Sequence, residues 1–462
     1  MTMRTSAMGG GAAGLAAVLA AAGVCGMAGV AHAQWNPAAG QWGKEEPTDL
    51  RFMTWNVEDG ICSTSTRKTN GVTDWNALVR IVAALQPDVL VLQEVGDNSG
   101  NGTGSGVDSV TTLTQVLELF IHGGTDPFVG GTVGSYVQLF APGYDLPFIR
   151  VSGVTDNFNR NVVLSRYPFG DVNGDGSAGQ DFFVLSPDAW QTGGDSEIRG
   201  WAGVEIDLPD DVYLGDLVAG NSHLKSGGTT SDQTDRLDAA KKTSYFIQYY
   251  YNGNGGATAD PNNKVNFPGV AAVALDANTP VIWGGDFNQQ PGGKGPVEWM
   301  IQAQTAGGTG DGTDRDGTDS LRDAAAQPIT GLTATRSGSK LDYVCWQDSI
   351  ATARRQFVFE SSGSGMNASN NPFPVSTFPA GSTITSSFAS DHRPVVVDFE
   401  LPLVPPVDCL ADITGDGEVD SGDLSAFVAA FLVGDPLADV SGDGQVDSGD
   451  LSVFVVAFLA GC

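Results

Sequence analysis

The chain has 462 residues, with 54 Asp and Glu against 23 Lys and Arg, for a formal charge of −31. That balance excludes a broadly basic nucleic-acid clamp, although a small cationic patch or a metal-bridged encounter with phosphate stays open. The length exceeds one ordinary domain and falls short of three, so one large domain with a small appendage is expected.

Residues 1–33 read as a secretory signal: a lone Arg4, an Ala/Gly/Val/Leu run over 12–30, then the small-x-small cleavage pattern Ala31-His32-Ala33. A membrane anchor is the rival reading, but glycines interrupt the run and a cleavage site closes it where a basic stop would be needed. No other run is long and apolar enough to span a bilayer, so the mature chain is expected to be secreted, extracellular or attached at a cell surface. Cys25 leaves with the signal, and Cys62, Cys345, Cys409 and Cys462 remain, which permits two disulfides in an exported protein. Of three possible arrangements, the spacing favours Cys409 with Cys462 and Cys62 with Cys345.

After a short polar leader, Leu50 to Asn56 reads as a buried strand bounded by charge. Residues 74–86 place Trp75, Leu78, Val79, Val82 and Leu85 at helical spacing, with Asp74 as the expected cap and Pro87 as the stop. Residues 88–94 form the next strand, and further strands are expected at 161–164, 202–206, 217–222, 281–284, 341–345 and 395–401. Strand, helix and apolar strand in alternation imply layers of sheet and helix and argue against an all-β sandwich. Gly/Asn/Ser/Thr-rich stretches at 97–106, 123–134, 252–263, 307–319 and 361–371 read as surface insertions. Residues 403–407, with their prolines, form a stiff linker into a last domain at 408–462.

Polar residues gather where apolar runs end. They are Asn56 in Thr54-Trp55-Asn56-Val57, Glu94 after Val91-Leu92-Gln93, His223 before Leu224-Lys225, Asp286 and Asn288 in Gly284-Gly285-Asp286-Phe287-Asn288, Asp342 before Tyr343, and Asp391-His392 before Arg393-Pro394. Each alone is a weak signal, since a lone His after a strand is more often structural and Gly-Asp-Phe-Asn can be a turn.

Together and in this order they resemble the endonuclease/exonuclease/phosphatase superfamily, in a pancreatic-type deoxyribonuclease-like form, over residues 48–402. Leu164-Ser165-Arg166-Tyr167-Pro168 and the Lys225-Ser226-Gly227-Gly228 run after the histidine extend the match. The resemblance implies an α/β fold, a four-layered α/β sandwich of two packed mixed sheets flanked by helices, with the site at one end of the sheets. It also implies Mg2+ or Mn2+ held by Glu94 with Asn56, and with Asp391 close enough to join, to polarise the phosphate. By the same resemblance Asp342 orients His392 to accept a proton or stabilise the phosphate, His223 donates to a phosphate or leaving-group oxygen, Asp286 orients or deprotonates the attacking water or holds a second metal, and Asn288 bonds the phosphate. The identity of the base stays open, and Glu58 reads as an exposed turn carboxylate.

The implied activity is phosphodiester hydrolysis by an extracellular nuclease or general phosphodiesterase on DNA, RNA or a small diester. A phosphatase or a sphingomyelinase-like lipid phosphodiesterase is the alternative, and an inactive calcium-dependent binding or matrix protein is the rival class. Lys225, Arg160, Arg166 and Arg236 are the cations near the motifs, and most are expected to be structural.

The last domain holds eleven acids and no Lys or Arg, and contains a repeat at 27-residue spacing. Asp412, Thr414, Asp416, Glu418, Asp420 and Asp423 recur as Asp439, Ser441, Asp443, Gln445, Asp447 and Asp450, with Gly417 and Gly444 at loop position 6. This is calcium-loop spacing. A helix with apolar spacing follows each loop, through Leu424, Phe427, Val428, Phe431 and then Leu451, Phe454, Val455, Phe458, while no entering helix precedes it. The pattern resembles a type I dockerin, a small all-α calcium-binding domain, which implies two Ca2+ ions and a cohesin-type partner; a calcium-stabilised end cap is the plainer alternative. A similar fragment, Asp171-Val172-Asn173-Gly174-Asp175-Gly176, lacks an acid at position 12 and reads as a turn with weak calcium affinity at most.

Overall fold

The computed structural model describes residues 35–61, 73–96, 108–128, 130–155, 159–182, 201–253, 275–289, 295–302, 312–361, 386–404, 409–415 and 419–460. The expected signal, Cys62, Cys462, Asp416 and Glu418 lie outside them, as do residues 405–407 of the linker.

Two six-stranded mixed sheets carry the large domain. In the first, the order is Thr352–Val358, Val395–Glu400, Leu50–Asn56, Val89–Val95, Arg160–Ser165 and Phe148–Val151. In the second it is Leu321–Arg322, Asp342–Trp346, Val281–Asp286, Leu217–His223, Trp201–Ile206 and Gly179–Phe182. Each sheet is built around one parallel pair, Leu50–Asn56 with Val89–Val95 and Leu217–His223 with Val281–Asp286, and the other pairings are antiparallel.

Successive strand side chains point to opposite faces, and here both faces are covered, so the central strands are buried on both sides and mostly apolar. Leu50 and Phe52 enter the core between the sheets with Val89, Val91, Leu217, Ile282 and Val395. Met53 and Trp55, from the alternate positions, enter a second core under the helices Asp74–Leu85 and Val110–His122. The helix Thr230–Phe246 and the π-turn Ile247–Tyr251 cover the outer face of the other sheet through Phe246, Ile247, Tyr250 and Tyr251. Helix, sheet, sheet and helix make four layers. Gly284 allows the sheets to approach closely, because a Cβ there would lie 2.9 Å from Thr54 Cβ and 3.0 Å from Phe52 Cε1.

Two expectations change. Asp74 is the first helical residue and not the cap; Thr73 caps, its side chain accepting from the Asn76 amide. Cys345 carries a free, buried thiol, so the expected bridge to Cys62 is not formed. Its strand turns it into the core beside Val281 and Trp283, where a thiol packs as a small hydrophobe and burial pushes its pKa up. The other expected bridge has one end, Cys462, outside the described residues.

Among residues 409–460, the helices Ser421–Val433 and Ser448–Ala460 meet through Phe427 and Phe454, whose rings stack with centroids 3.9 Å apart. No described helix is long and apolar enough to cross a membrane.

Candidate active site

The strand register assembles the site. His223, Asp286 and Asp342 stand side by side on three adjacent strands of the second sheet, His223 paired with Asp286 and Asp286 with Asp342. Across the gap, Asn56 ends the first strand opposite Gln93, and a bulge between Leu92 and Val95 displaces Glu94 from the ladder. Glu94 has φ 55°, a left-handed conformation that costs a non-glycine residue about 1–3 kcal/mol and that turns its carboxylate toward the second sheet. Asn288 has φ 49°, the same kind of strain just beyond Asp286. Strain of this kind concentrates where side-chain direction matters more than backbone ease.

Asp286 is the hub. Its Oδ2 accepts from Asn56 Nδ2 at 3.1 Å and lies 3.3 Å from His223 Nε2 and 3.7 Å from His392 Nε2. Its Oδ1 accepts from the Asn288 amide at 2.9 Å. Burial alone would raise its pKa, but His392, His223 and the Asn288 amide outweigh that and hold it well below the usual range. Glu94, at the mouth, reaches within 3.7 Å of His223 Nε2. Glu94, His223 and Asp286 each offer a ligand atom within 4.8 Å of the others, and Asp286, Asp342 and His392 form a second such group.

His392 arrives from the loop before the strand Val395–Glu400, held by Ser390. The Ser390 hydroxyl donates to the Asn56 carbonyl at 2.7 Å and accepts from the His392 amide at 3.0 Å, while Trp55 Nε1 donates to the His392 carbonyl at 3.0 Å. Its Nδ1 lies 2.8 Å from Asp342 Oδ2. Burial would lower its pKa, yet the carboxylates of Asp342, Asp286 and Asp391 together raise it to about 10. Asp342 is also raised, by burial, against the pull of His392. One proton is therefore held tightly between the two, and it rests on His392, which faces further carboxylates on its other side.

The expected residues thus converge, with differences in detail. Asn56 Oδ1 accepts from the Glu58 amide at 3.1 Å, and one lone pair of that oxygen remains for a cation. Asn288 Nδ2 donates to the Leu224 carbonyl at 3.1 Å. Asp391 stands apart from the three-residue ligand groups, its carboxylate paired with Arg336 and 3.8 Å from His392 Nε2. Glu58 is exposed in its turn, as expected, but its carboxylate accepts from the Asp391 amide at 2.7 Å and feels Glu94.

The cations near the motifs are structural: Arg236 braces the carbonyls of Lys225 and Gly227, Arg160 those of Asp108, Ser152 and Gly153, and Arg166 pairs with Asp88. Lys225 lies 3.5 Å from Asp232.

Three groups escaped the sequence reading. Arg336 sits at the rim, and Asp391, Asp286 and Glu94 all act to keep it charged; no pattern around it gives it away. Gln93 and Asn221 join the sheets below the site, Gln93 Nε2 donating to Asn221 Oδ1 at 2.8 Å and Asn221 Nδ2 to the carbonyls of Leu92 and Val162. Ser390 stood beside the Asp-His pair and could have been read as its clasp.

Carboxylates, two imidazoles and a rim guanidinium on the shared end of two sheets define a site suited to a divalent cation and an anionic ester. The family model described as the Endonuclease/Exonuclease/phosphatase family matches residues 53–392, and the chain belongs to that family. Members of this superfamily are phosphoester hydrolases. Among solved structures, the chain is similar to an endonuclease/exonuclease/phosphatase from Beutenbergia cavernae, at 21% identity and TM-score 0.40, over 77% of this chain and 72% of that one. It is also similar to a mannosyl-6-phosphatase from Bacteroides thetaiotaomicron, at 12% identity and TM-score 0.39, over 76% of this chain and 100% of that one. A third is D. rerio TDP2 complexed with a single-strand DNA product, at 12% identity and TM-score 0.38, over 76% and 99%. No curated protein matches the chain.

Proposed function

We propose that the chain is a secreted, divalent-metal-dependent phosphodiester hydrolase acting on nucleic acid or a small diester. The observation that carries this is the convergence of Glu94, His223, Asp286 and the Asp342–His392 pair within hydrogen-bonding and ligating distances. The donor set fits Mg2+ or Mn2+: hard oxygens from Glu94 and Asn56, with Asp286 held anionic beside them. Such a cation supplies positive charge to the phosphate oxygens when bound. The chain's own groups divide the remaining work. Asp286, ionised and 3.3 Å from His223, orients or deprotonates the attacking water. His392, kept protonated by Asp342, presents Nε2 to a phosphate oxygen as charge builds there. His223 donates to the leaving oxygen, Asn288 offers its second amide proton, and Arg336 meets the phosphate at the rim.

The C-terminal repeat supports a second module, with two Ca2+ ions and a cohesin-type partner. The Asp439 carboxylate accepts the amides of Asp443 and Gly444, and Asp423 and Asp450 close their loops through backbone amides. Leu432, Val433, Val456 and Leu459 are 69–80% exposed on the two helices, an apolar surface suited to a protein partner.

The test is hydrolysis of plasmid DNA, bis-p-nitrophenyl phosphate, p-nitrophenyl phosphate and sphingomyelin with Mg2+, Mn2+ or EDTA, beside His392→Ala. Metal-dependent diester cleavage lost in the variant supports the proposal. Monoester or lipid turnover alone replaces the substrate class, and silence on all four replaces the enzyme with a binding protein.

A further inference from the structure

On the strand before His223, Glu205 is 1% exposed, and neither of its carboxylate oxygens accepts a well-formed hydrogen bond, although the amides of Val172 and Asn173 approach it. A buried carboxylate left in that state is costly, and its usual remedies are a proton or a cation. Its surroundings point to a cation. The amide of Glu205 donates to Ala178 at 2.9 Å and its carbonyl accepts from Gly170 at 2.8 Å, so its backbone clamps both ends of the loop 171–177. The carboxylates of Asp171, Asp175 and Glu205 then lie with ligand atoms within 4.8 Å of one another.

The loop shares three amide-to-carboxylate bonds with a second loop of the same chain. Asp171 accepts the amides of Asp175 and Gly176 at 2.9 and 2.8 Å, and Asp175 accepts that of Ser177 at 2.8 Å. In the C-terminal repeat, Asp439 accepts the amides of Asp443 and Gly444 at 3.1 and 2.9 Å, and Asp443 accepts that of Gln445 at 2.8 Å. Gly174 and Gly176 have φ 70° and 86°, their counterparts Gly442 and Gly444 72° and 84°. What the first loop lacks is the acid at position 12, where Phe182 stands. Phe182 pairs with Trp201 on the neighbouring strand, and that same strand carries Glu205 into the loop from the side.

We propose that Asp171, Asp175 and Glu205 form a calcium site in the large domain, with Glu205 supplying from an adjacent strand the ligand that the loop's own sequence omits. Asn173 and Ser177, at loop positions 3 and 7, supply further oxygens by the same spacing. The proposed site goes beyond the reading of 171–176 as a turn of weak affinity at most, since an acid from the adjacent strand stands in for the missing one. The carboxylates otherwise repel: burial first, then Asp175 and Asp171, push the Glu205 carboxyl up to about 8, against some help from the amides of Val172 and Asn173. The bound ion would pin the edge strand Gly179–Phe182 and the loop to Tyr250, whose hydroxyl donates to Asp175.

Tyr250 also provides the test. Residues 409–460 contain no Tyr or Trp, so tyrosine-sensitised terbium luminescence of the full chain leaves the C-terminal loops dark. The expected result is emission that calcium displaces, with affinity weakened on the order of tenfold or more in both Glu205→Gln and Asp171→Asn. Asp171 is exposed, so its variant tests the ligand set without disturbing the core. Melting of the full chain gives an independent readout: calcium should raise the wild-type melting temperature above that of Glu205→Gln, and in EDTA the variant should melt no lower than wild type. Absence of emission, or emission unchanged in both variants and lost in Glu94→Gln, would overturn the assignment and return the signal to the catalytic cleft.

Discussion

His392 Nδ1 and Asp342 Oδ2 lie 2.8 Å apart with both side chains 1% exposed, and the other ring nitrogen of His392 faces Asp286 at 3.7 Å. The imidazole is thus surrounded by carboxylates. Its folded pKa, about 10, lies above the ~6.5 of an unfolded histidine. The stabilisation from the protonated pair is therefore complete below about pH 6.5 and is lost as pH rises toward 10. In EDTA, the melting temperature of the wild type should fall faster than that of His392→Asn across this window. Ring titration by NMR should show His392 still protonated at neutral pH, and Asp342→Asn should lower that titration. A ring neutral at pH 7 in the wild type would remove the proposed role.

Glu94 combines strain with function. Glu94→Gln should cut activity at fixed Mg2+ by about tenfold to a hundredfold or more, partly recovered by raising the metal concentration. Glu94→Gly should be as inactive yet melt above Glu94→Gln, because glycine accepts φ 55° without cost. Thermal melts of the two variants beside metal titrations of activity check both statements.

Arg336 is 45% exposed in its side chain and pairs with Asp391 at the rim. An exposed pair of this kind contributes about 0–1 kcal/mol, so Arg336→Ala should leave the melting temperature nearly unchanged. If it meets the phosphate, KM should rise several-fold, and the rise should shrink as salt is added. An unchanged KM at low salt would remove Arg336 from the substrate path.

Below the site, Asn221 spends its amide on Gln93, Leu92 and Val162. Asn221→Leu leaves buried partners unsatisfied and should cost about 1–3 kcal/mol, read from urea unfolding. Activity should fall as well, because the bridge fixes the distance between the Glu94 and His223 halves of the cleft.

The sequence carried the strands well, because a strand covered on both faces is a mostly apolar run that ends where polar residues gather. Residues 50–56, 217–222 and 281–284 were legible for that reason. The helix Val110–His122 and the strand Thr352–Val358 were not, the first lying beside a glycine-rich stretch and the second carrying Arg354 and Arg355 along its edge. The residues of the candidate site were legible as an ordered series, since each lies at the end of a strand or in the loop beside one. Arg336, Gln93 and Glu205 were not, because their importance comes from pairing across sheets or loops that no local pattern records. Cys345 was misread for a related reason: an even cysteine count describes a compartment, while the apolar wall around one thiol decides its state.

The last strand of the large domain, Val395–Glu400, inserts between Thr352–Val358 and the first core strand, Leu50–Asn56. Strands some 340 residues apart in sequence are thus neighbours in the same sheet, and the loop that delivers His392 is stitched to Asn56 by Ser390. During synthesis the first strand must wait with one edge open until some 340 further residues have left the ribosome. No nascent fragment short of that point owns a complete cleft. A partly made chain therefore carries the separate site residues without their arrangement, and the cleft is assembled only when Val395–Glu400 takes its place in the sheet.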